Sequence, residues 1–135
     1  GCVVNIASGM AFQSMPFMST YAATKSFLLH WSEGVATELK GTGIHFVTIC
    51  PGTIETGFAT TAGVPVEDIL GSALVTGPIQ EVVQDTLQAV RNNTVIAIPG
   101  WRHRVVLLLT RFVPRWISRS ISGWAMARSR RTPTG

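Results

Sequence analysis

At 135 residues, 46% of them hydrophobic, and a net charge of +4, the chain is long enough to bury a modest core and too apolar to be a disordered segment. The charge is uneven: residues 1–100 carry three basic and seven acidic side chains, whereas residues 101–135 carry eight arginines and no acid, so the positive balance belongs to the tail. Two cysteines and three histidines without metal-ligand spacing argue against a disulfide scaffold and a zinc site, and the apolar run Val105 to Leu109 is far too short to span a bilayer.

In chain order, Cys2 to Ala7 is a short apolar run suited to a buried strand, and Gly9 to Ser19 is a loop rich in Met, Ser and Pro, with Ser8 at the junction. Thr20 to Lys40 reads as a helix. Leu28, Trp31, Val35 and Leu39 recur at spacings of three, four and four, which predicts a core-facing stripe that ends at Gly41 and Gly43. Ile44 to Cys50 is a second strand, with Phe46 turned to the core and His45 to the other side. Strand, helix, strand in this order asks for a parallel pair joined by a right-handed crossover, and ligands of such sheets bind beyond the carboxyl ends of the strands. Ser8 and Pro51-Gly52 both fall there.

Parallel strands would put Cys2 and Cys50 at opposite ends, roughly 15 to 20 Å apart, too far for a disulfide. Two structural thiols fit a reducing, cytoplasmic compartment. Gly57 to Gly77 is a long stretch of Ala, Thr, Gly and Val with one weak helical patch around Val66 to Leu74. Pro78 then opens a helix running to about Arg91, with Glu81 complementing its dipole, and Val95 to Ile98 is the last strand. The chain thus divides into an α/β unit over 1–100 and an Arg-rich tail over 101–135.

In that tail Arg104, Arg111, Arg115 and Arg119 fall on one side, and Val105, Leu108, Leu109, Phe112, Val113, Trp116 and Ile117 on the other, as in an amphipathic helix kinked at Pro114. It either packs on its own domain or a second subunit, or lies on anionic lipid as a peripheral membrane contact, to which Trp116 and Trp124 are suited. Nucleic acid is not indicated, since no binding fold or base-stacking platform accompanies the charge.

The residues with a readable chemistry begin with Tyr21, the only tyrosine, followed four positions later by Lys25, one of two lysines. On a helix they share one face, a single turn apart. Reducing a carbonyl builds negative charge on its oxygen, so a site needs donors aimed at that oxygen and a proton to transfer. Ser8 and Tyr21 can both donate. A free phenol titrates near 10, and a cation within about 4 Å favours the phenolate; Lys25 is placed to be that cation. Taken singly, Ser8 would serve as a turn or capping serine, Pro51-Gly52 as a turn and Thr56 as an N-cap. Their order and spacing around the Tyr-Lys pair make them a set.

Ser8 thirteen residues before Tyr21, the run Tyr21-Ala22-Ala23-Thr24-Lys25, and Pro51-Gly52-Thr53-Ile54-Glu55-Thr56 after the next strand resemble the active-site half of a short-chain dehydrogenase/reductase. The resemblance implies an α/β fold: the C-terminal half of a Rossmann-like doubly wound parallel sheet, over 1–100, followed by the helical tail. It implies an oxidoreductase that interconverts a ketone and a secondary alcohol with NADP or NAD as cofactor. In the family the residue matching Ser8 orients the substrate carbonyl, that matching Tyr21 is the general acid/base, and that matching Lys25 also holds the nicotinamide ribose. The stretch matching Pro51, Gly52, Ile54 and Thr56 lies against the nicotinamide, the Ile54 backbone and Thr56 hydroxyl on its carboxamide. No metal is implied.

The small apolar residues of 57–77 suggest a hydrophobic substrate, and the wording around Tyr21 and from Gly41 to Gly52 is most similar to members acting on lipid-like ketones such as 3-oxoacyl or steroid compounds. A homo-oligomer is a further expectation. The chain departs from the pattern in starting with Gly1 and in lacking the glycine-rich turn that cradles the pyrophosphate, the residue that discriminates NAD from NADP, and the usual catalytic asparagine. Asn5, inside a strand, is no substitute. The expectation is a fragment that is inactive alone. Two other readings stand beside the oxidoreductase: a non-catalytic, membrane-associated scaffold that keeps the fold, and an epimerase or dehydratase built on the same Tyr-Lys pair.

Overall fold

The two β-branched runs that flank the first helix become neighbouring strands, β1 (Cys2–Ile6) and β2 (His45–Ile49). They pair in parallel, Cys2 opposite His45 and Ile6 opposite Ile49. A third strand, β3 (Ile96–Ala97), pairs in parallel on the far side of β2, giving the order β1-β2-β3. The computed structural model describes residues 1–54 and 77–129; Thr56 and the helical patch expected at Val66 to Leu74 lie outside them.

The core forms around β2, because among the described residues it alone has a strand on each side and a helix on each face. Side chains alternate between the faces of a strand. Cys50 therefore joins Ala7, Ala11 and Leu29 under the helix α1 (Ser19–Glu38), while Val47 and Ile49 pack with Ala89 of the helix α2 (Ile79–Arg91) on the opposite face. Val47, Thr48, Ile49 and Cys50 are all fully enclosed. Helices on both faces of a parallel sheet are the doubly wound α/β arrangement expected from the sequence. β1 departs from its expectation as a buried strand: Val3, Val4 and Ile6 are exposed, because only its β2 edge and the face beneath α1 are covered among the described residues.

The buried stripe of α1 also differs from the apolar periodicity. Ala22, Leu29 and Ser32 are enclosed, Leu28, Val35 and Leu39 are half-buried, and Trp31 is 47% exposed, meeting Phe46 edge-on at 5.8 Å. The cause is a polar tie. Asn5 Nδ2 donates to Ser32 Oγ (2.8 Å), and Ser32 Oγ donates to the Leu28 carbonyl (2.7 Å), so small and hydrogen-bonded side chains bring the helix close to β1. The helix ends as its sequence dictates: Gly41 and Gly43 adopt φ of 89° and 79°, which residues with a Cβ disfavour.

α2 follows Pro78 with Glu81 in its first turn and Arg91 in its last, both favourable to the helix dipole. Asp85, one turn after Glu81, accepts a hydrogen bond from the Gly100 amide (3.1 Å) and so fixes the bend, with Gly100 at φ 80°, that leads out of β3.

The tail is two helices rather than one kinked helix: α3 (Trp101–Thr110) and α4 (Arg115–Ser129). The amides of Arg111, Phe112 and Val113 bond three residues back, tightening the end of α3, and Pro114 has no N–H to continue it. α4 returns over the loop after Ser8, where Ser118 Oγ donates to Gln13 Oε1 (3.0 Å) and Gly123 packs on Pro16. Among the described residues no helix is long and apolar enough to cross a membrane.

Candidate active site

The site is assembled where the strands end. The Ala7 amide bonds the Ile49 carbonyl and the Gly9 amide bonds the Pro51 carbonyl, each at 2.8 Å, which fastens the exits of β1 and β2 side by side. Ser8 lies between these two bonds, buried and extended. Its Oγ accepts from the Met10 amide (3.2 Å) and caps the 3-10 turn Gly9–Phe12. Capping uses an acceptor lone pair and leaves the hydroxyl proton to donate elsewhere, so the capping role and a substrate-facing role are compatible.

The first turns of α1 supply Tyr21 and Lys25. Lys25 Nζ donates to the carbonyl of Ile6, the last residue of β1, at 2.7 Å, and lies 5.8 Å from the centre of the Tyr21 ring. The sequence spacing therefore becomes a cation anchored at the strand exit and close to the phenol. One of the three ammonium donors is used on Ile6, and two remain for hydroxyl groups of a ligand. Asn5, expected to be no substitute for a catalytic asparagine, donates to Ser32 Oγ.

Cys50 lies beside this site, and its chemistry is suppressed. Burial pushes its thiol up to about 12, with the charge of Glu33 acting in the same direction and the Ser8 backbone and Lys25 acting against it. A thiol so rarely ionised at neutral pH is a packing group rather than a nucleophile. Cys2 and Cys50 are both free, five register positions apart on adjacent strands.

After β2 the chain runs Pro51, Gly52, Thr53, Ile54. Ile54 forms a parallel bridge with Gly77, whose amide donates to the Thr53 carbonyl (3.2 Å). A cleft of about 180 Å³ opens beside this segment, lined by Thr53, Ile54, Glu81, Trp101, Arg102 and His103 among others. Among the described residues no three His, Cys, Asp or Glu side chains gather to hold a metal. The donors left on Lys25 and the open cleft along Gly52 to Ile54 fit the sugar and the ring of a nicotinamide nucleotide.

Sequence reasoning missed His103. It is 5% exposed in the first turn of α3, and its imidazole sits so close to Gly9 that a Cβ on that glycine would collide with it. Burial pushes the imidazole below its ordinary 6.5, opposed by the nearby Pro99 carbonyl, although Nδ1 makes no hydrogen bond of good geometry. A search for metal spacing has no reason to keep a solitary histidine. The signal was Gly9 itself, a residue without a side chain next to Ser8.

The sequence profile of the family described as short chain dehydrogenase matches residues 1–64. The ketoacyl reductase HetN of Nostoc sp. is 32% identical over 95 residues, an alignment spanning 70% of this chain and 32% of that protein. A 7beta-hydroxysteroid dehydrogenase of Collinsella aerofaciens is 40% identical over 53 residues, or 39% of this chain and 20% of that one. Among solved structures, a short-chain dehydrogenase of Sphingobium yanoikuyae in complex with NADPH superposes with a TM-score of 0.64 at 27% identity, over 85% of this chain and 46% of that one. The chain thus spans about a third of the length of the Nostoc protein and just under half of the Sphingobium one.

Proposed function

Because the chain belongs to the short-chain dehydrogenase family, we propose that it carries the catalytic half of an NAD(P)-dependent oxidoreductase that interconverts a ketone and a secondary alcohol. The observation that carries this reading is the Lys25 ammonium, bonded to the last carbonyl of β1 and close to the ring of Tyr21, at the ligand-binding end of a parallel sheet. When bound, the nicotinamide supplies or accepts a hydride. Lys25, Gly52 and Ile54 would hold it, and Thr56 completes the set in the sequence.

The chain's own groups handle the substrate oxygen and its proton. Ser8 donates its free O–H to the carbonyl oxygen and fixes the orientation of the substrate. The Tyr21 hydroxyl gives its proton to the same oxygen in reduction, and the Tyr21 phenolate takes one from the alcohol in oxidation. The Lys25 ammonium, 5.8 Å from the centre of the Tyr21 ring, places a positive charge beside the oxygen that gives up its proton in reduction.

A hydrophobic, 3-oxoacyl- or steroid-like ketone is the substrate class we favour, which the activities named for the Nostoc and Collinsella relatives support. The edge of β1 away from β2, uncovered among the described residues, fits a sheet that continues with further strands in the whole protein, and we assign the complete nucleotide site to that larger unit. A lipid-like substrate would also suit a protein whose 101–135 segment meets a lipid surface.

The test follows NADPH and NADH consumption by the full-length protein over a panel of 3-oxoacyl thioesters and steroid ketones. Tyr21→Phe keeps the ring and removes the proton donor, so turnover should fall by about 10² to 10⁴-fold with cofactor affinity nearly unchanged. Retention of most of the turnover would defeat the assignment.

A further inference from the structure

α3 has two apolar faces, and among the described residues only one of them is packed. His103, Val106, Leu107 and Thr110 turn inward and are buried or half-buried. Trp101, Val105, Leu108 and Phe112 recur at spacings of four, three and four, and with Leu109 beside them they are 69, 45, 58, 78 and 60% exposed. At about 100° per residue Trp101, Val105, Leu108 and Leu109 form one ridge on the side opposite the packed face, and Phe112 follows in the turn just beyond the end of α3. Single exposed apolar residues are ordinary in a folded protein, but a contiguous ridge of Trp, Leu and Phe marks a surface with an occupant.

Charge identifies the occupant. On the helix wheel Arg102 borders the ridge on one side, and Arg104 and Arg111 border it on the other. Arg102 stacks on Trp101 (5.6 Å) and Arg104 donates to the Ile98 carbonyl (3.2 Å), so both guanidinium groups are held near the margins. Among the described residues none of Arg102, Arg104, Arg111, Arg115 and Arg119 forms an ion pair, and residues 101–135 contain no acid with which to form one. α4 continues the composition with Arg115 and Arg119 and with exposed Trp116 and Trp124. A second copy of this chain fits poorly, because a two-fold contact through the ridge sets these arginine margins against their own equivalents.

We propose that the ridge of α3 is a docking face for an anionic lipid bilayer, with Trp101, Leu108, Leu109 and Phe112 bedded at the boundary of headgroups and acyl chains and the flanking arginines on lipid phosphates. Trp101 and Arg102, at the start of the ridge, also line the cleft beside Ile54, but Leu108, Leu109 and Phe112 do not, and none of Ser8, Tyr21 and Lys25 takes part, so the inference does not depend on the oxidoreductase reading. It has a consequence for the site all the same. α4 is hydrogen-bonded through Ser118 to Gln13, in the loop that follows Ser8, so docking the tail ties that loop to the membrane-bound segment.

The experiment is flotation of the intact protein with phosphatidylcholine vesicles, with and without phosphatidylserine, at low and high salt, alongside thermal unfolding and turnover of each variant. The protein should float with the anionic vesicles and much less with the neutral ones, and salt near 1 M, which shortens electrostatic reach to about 3 Å, should release a large part of it. Leu108→Ser and Phe112→Ser should each lower the partition coefficient by roughly tenfold or more. Arg111→Gln and Arg115→Gln should each lower it about fivefold, with unfolding and turnover unchanged. Three results would overturn the proposal: no flotation of the intact protein with anionic vesicles, equal flotation after the Leu108→Ser and Phe112→Ser changes, or a lipid-free dimer that those changes dissolve, which would assign the ridge to a second copy.

Discussion

Around the strand exits, polar side chains are fastened by hydrogen bonds within the protein, whereas along the outer side of α3 apolar and cationic side chains project into solvent. Lys25 holds the Ile6 carbonyl, Ser8 caps the turn that follows it, Asn5 holds Ser32, and Asp85 holds the Gly100 amide. The α3 ridge has the opposite character, with five large apolar side chains exposed and arginines at both margins. Satisfied polar groups fix positions to within a hydrogen bond, which a reaction requires. An uncommitted apolar ridge fixes nothing within the chain and is suited to a deformable partner. His103 joins the two regions, since it grows from the inner side of α3 and rests on Gly9 beside Ser8.

The comparison can be broken first at Lys25. If its ammonium serves both the strand exit and the cofactor ribose, Lys25→Met in the full-length protein should weaken nicotinamide nucleotide binding by roughly 10- to 100-fold, the worth of one or two hydrogen bonds to a charged group, and lower turnover as well. Fluorescence titration of the nucleotide reads this directly, and an unchanged affinity would confine Lys25 to tuning Tyr21. Next is the join between the regions. Gly9→Ala places a methyl against the His103 imidazole and should lower stability by about 1 to 3 kcal/mol in a denaturant titration, with turnover falling as Ser8 shifts.

The same join should respond to pH. His103 has its imidazole below the ordinary 6.5, so between that value and its folded value the unfolded chain binds the proton and the folded one does not. Its contribution to stability is therefore complete above about pH 6.5 and is lost as the pH falls below it, at no more than about 1.4 kcal/mol per pH unit for one proton. Thermal unfolding from pH 7 to pH 5 should show the decline, and His103→Gln should flatten it. The smallest effect sharpens the contrast from the other side: Leu108→Ser, on the exposed ridge, should change stability by no more than about 0.5 kcal/mol.

Most of the architecture was legible because period and punctuation agree. The strands expected at Cys2 to Ala7 and Ile44 to Cys50 are observed at Cys2–Ile6 and His45–Ile49, and the helix expected from Thr20 to Lys40 runs Ser19–Glu38, stopped by glycines at positive φ. Orientation within α1 was not legible. Apolar spacing selected Trp31, yet Ser32 is the enclosed residue, because a serine whose hydroxyl is satisfied by Asn5 and the Leu28 carbonyl can be buried as well as a leucine. The tail was read as one amphipathic helix because hydropathy records which residues are apolar but not which of two apolar faces meets the protein.

For the site, local spacing was enough to nominate Tyr21 and Lys25, since four residues on a helix are one turn whatever surrounds it, and enough to put Ser8 and Pro51-Gly52 at strand exits. The sequence by itself thus determined the elements, their parallel order and the types of group available at the strand ends, all of which depend on near neighbours in the chain. Only the tertiary structure decided that Lys25 reaches the Ile6 carbonyl, that His103 closes over Gly9 and that one side of α3 stays outside. Those outcomes depend on which surfaces meet when residues far apart in the chain are brought into contact, and no periodicity records that.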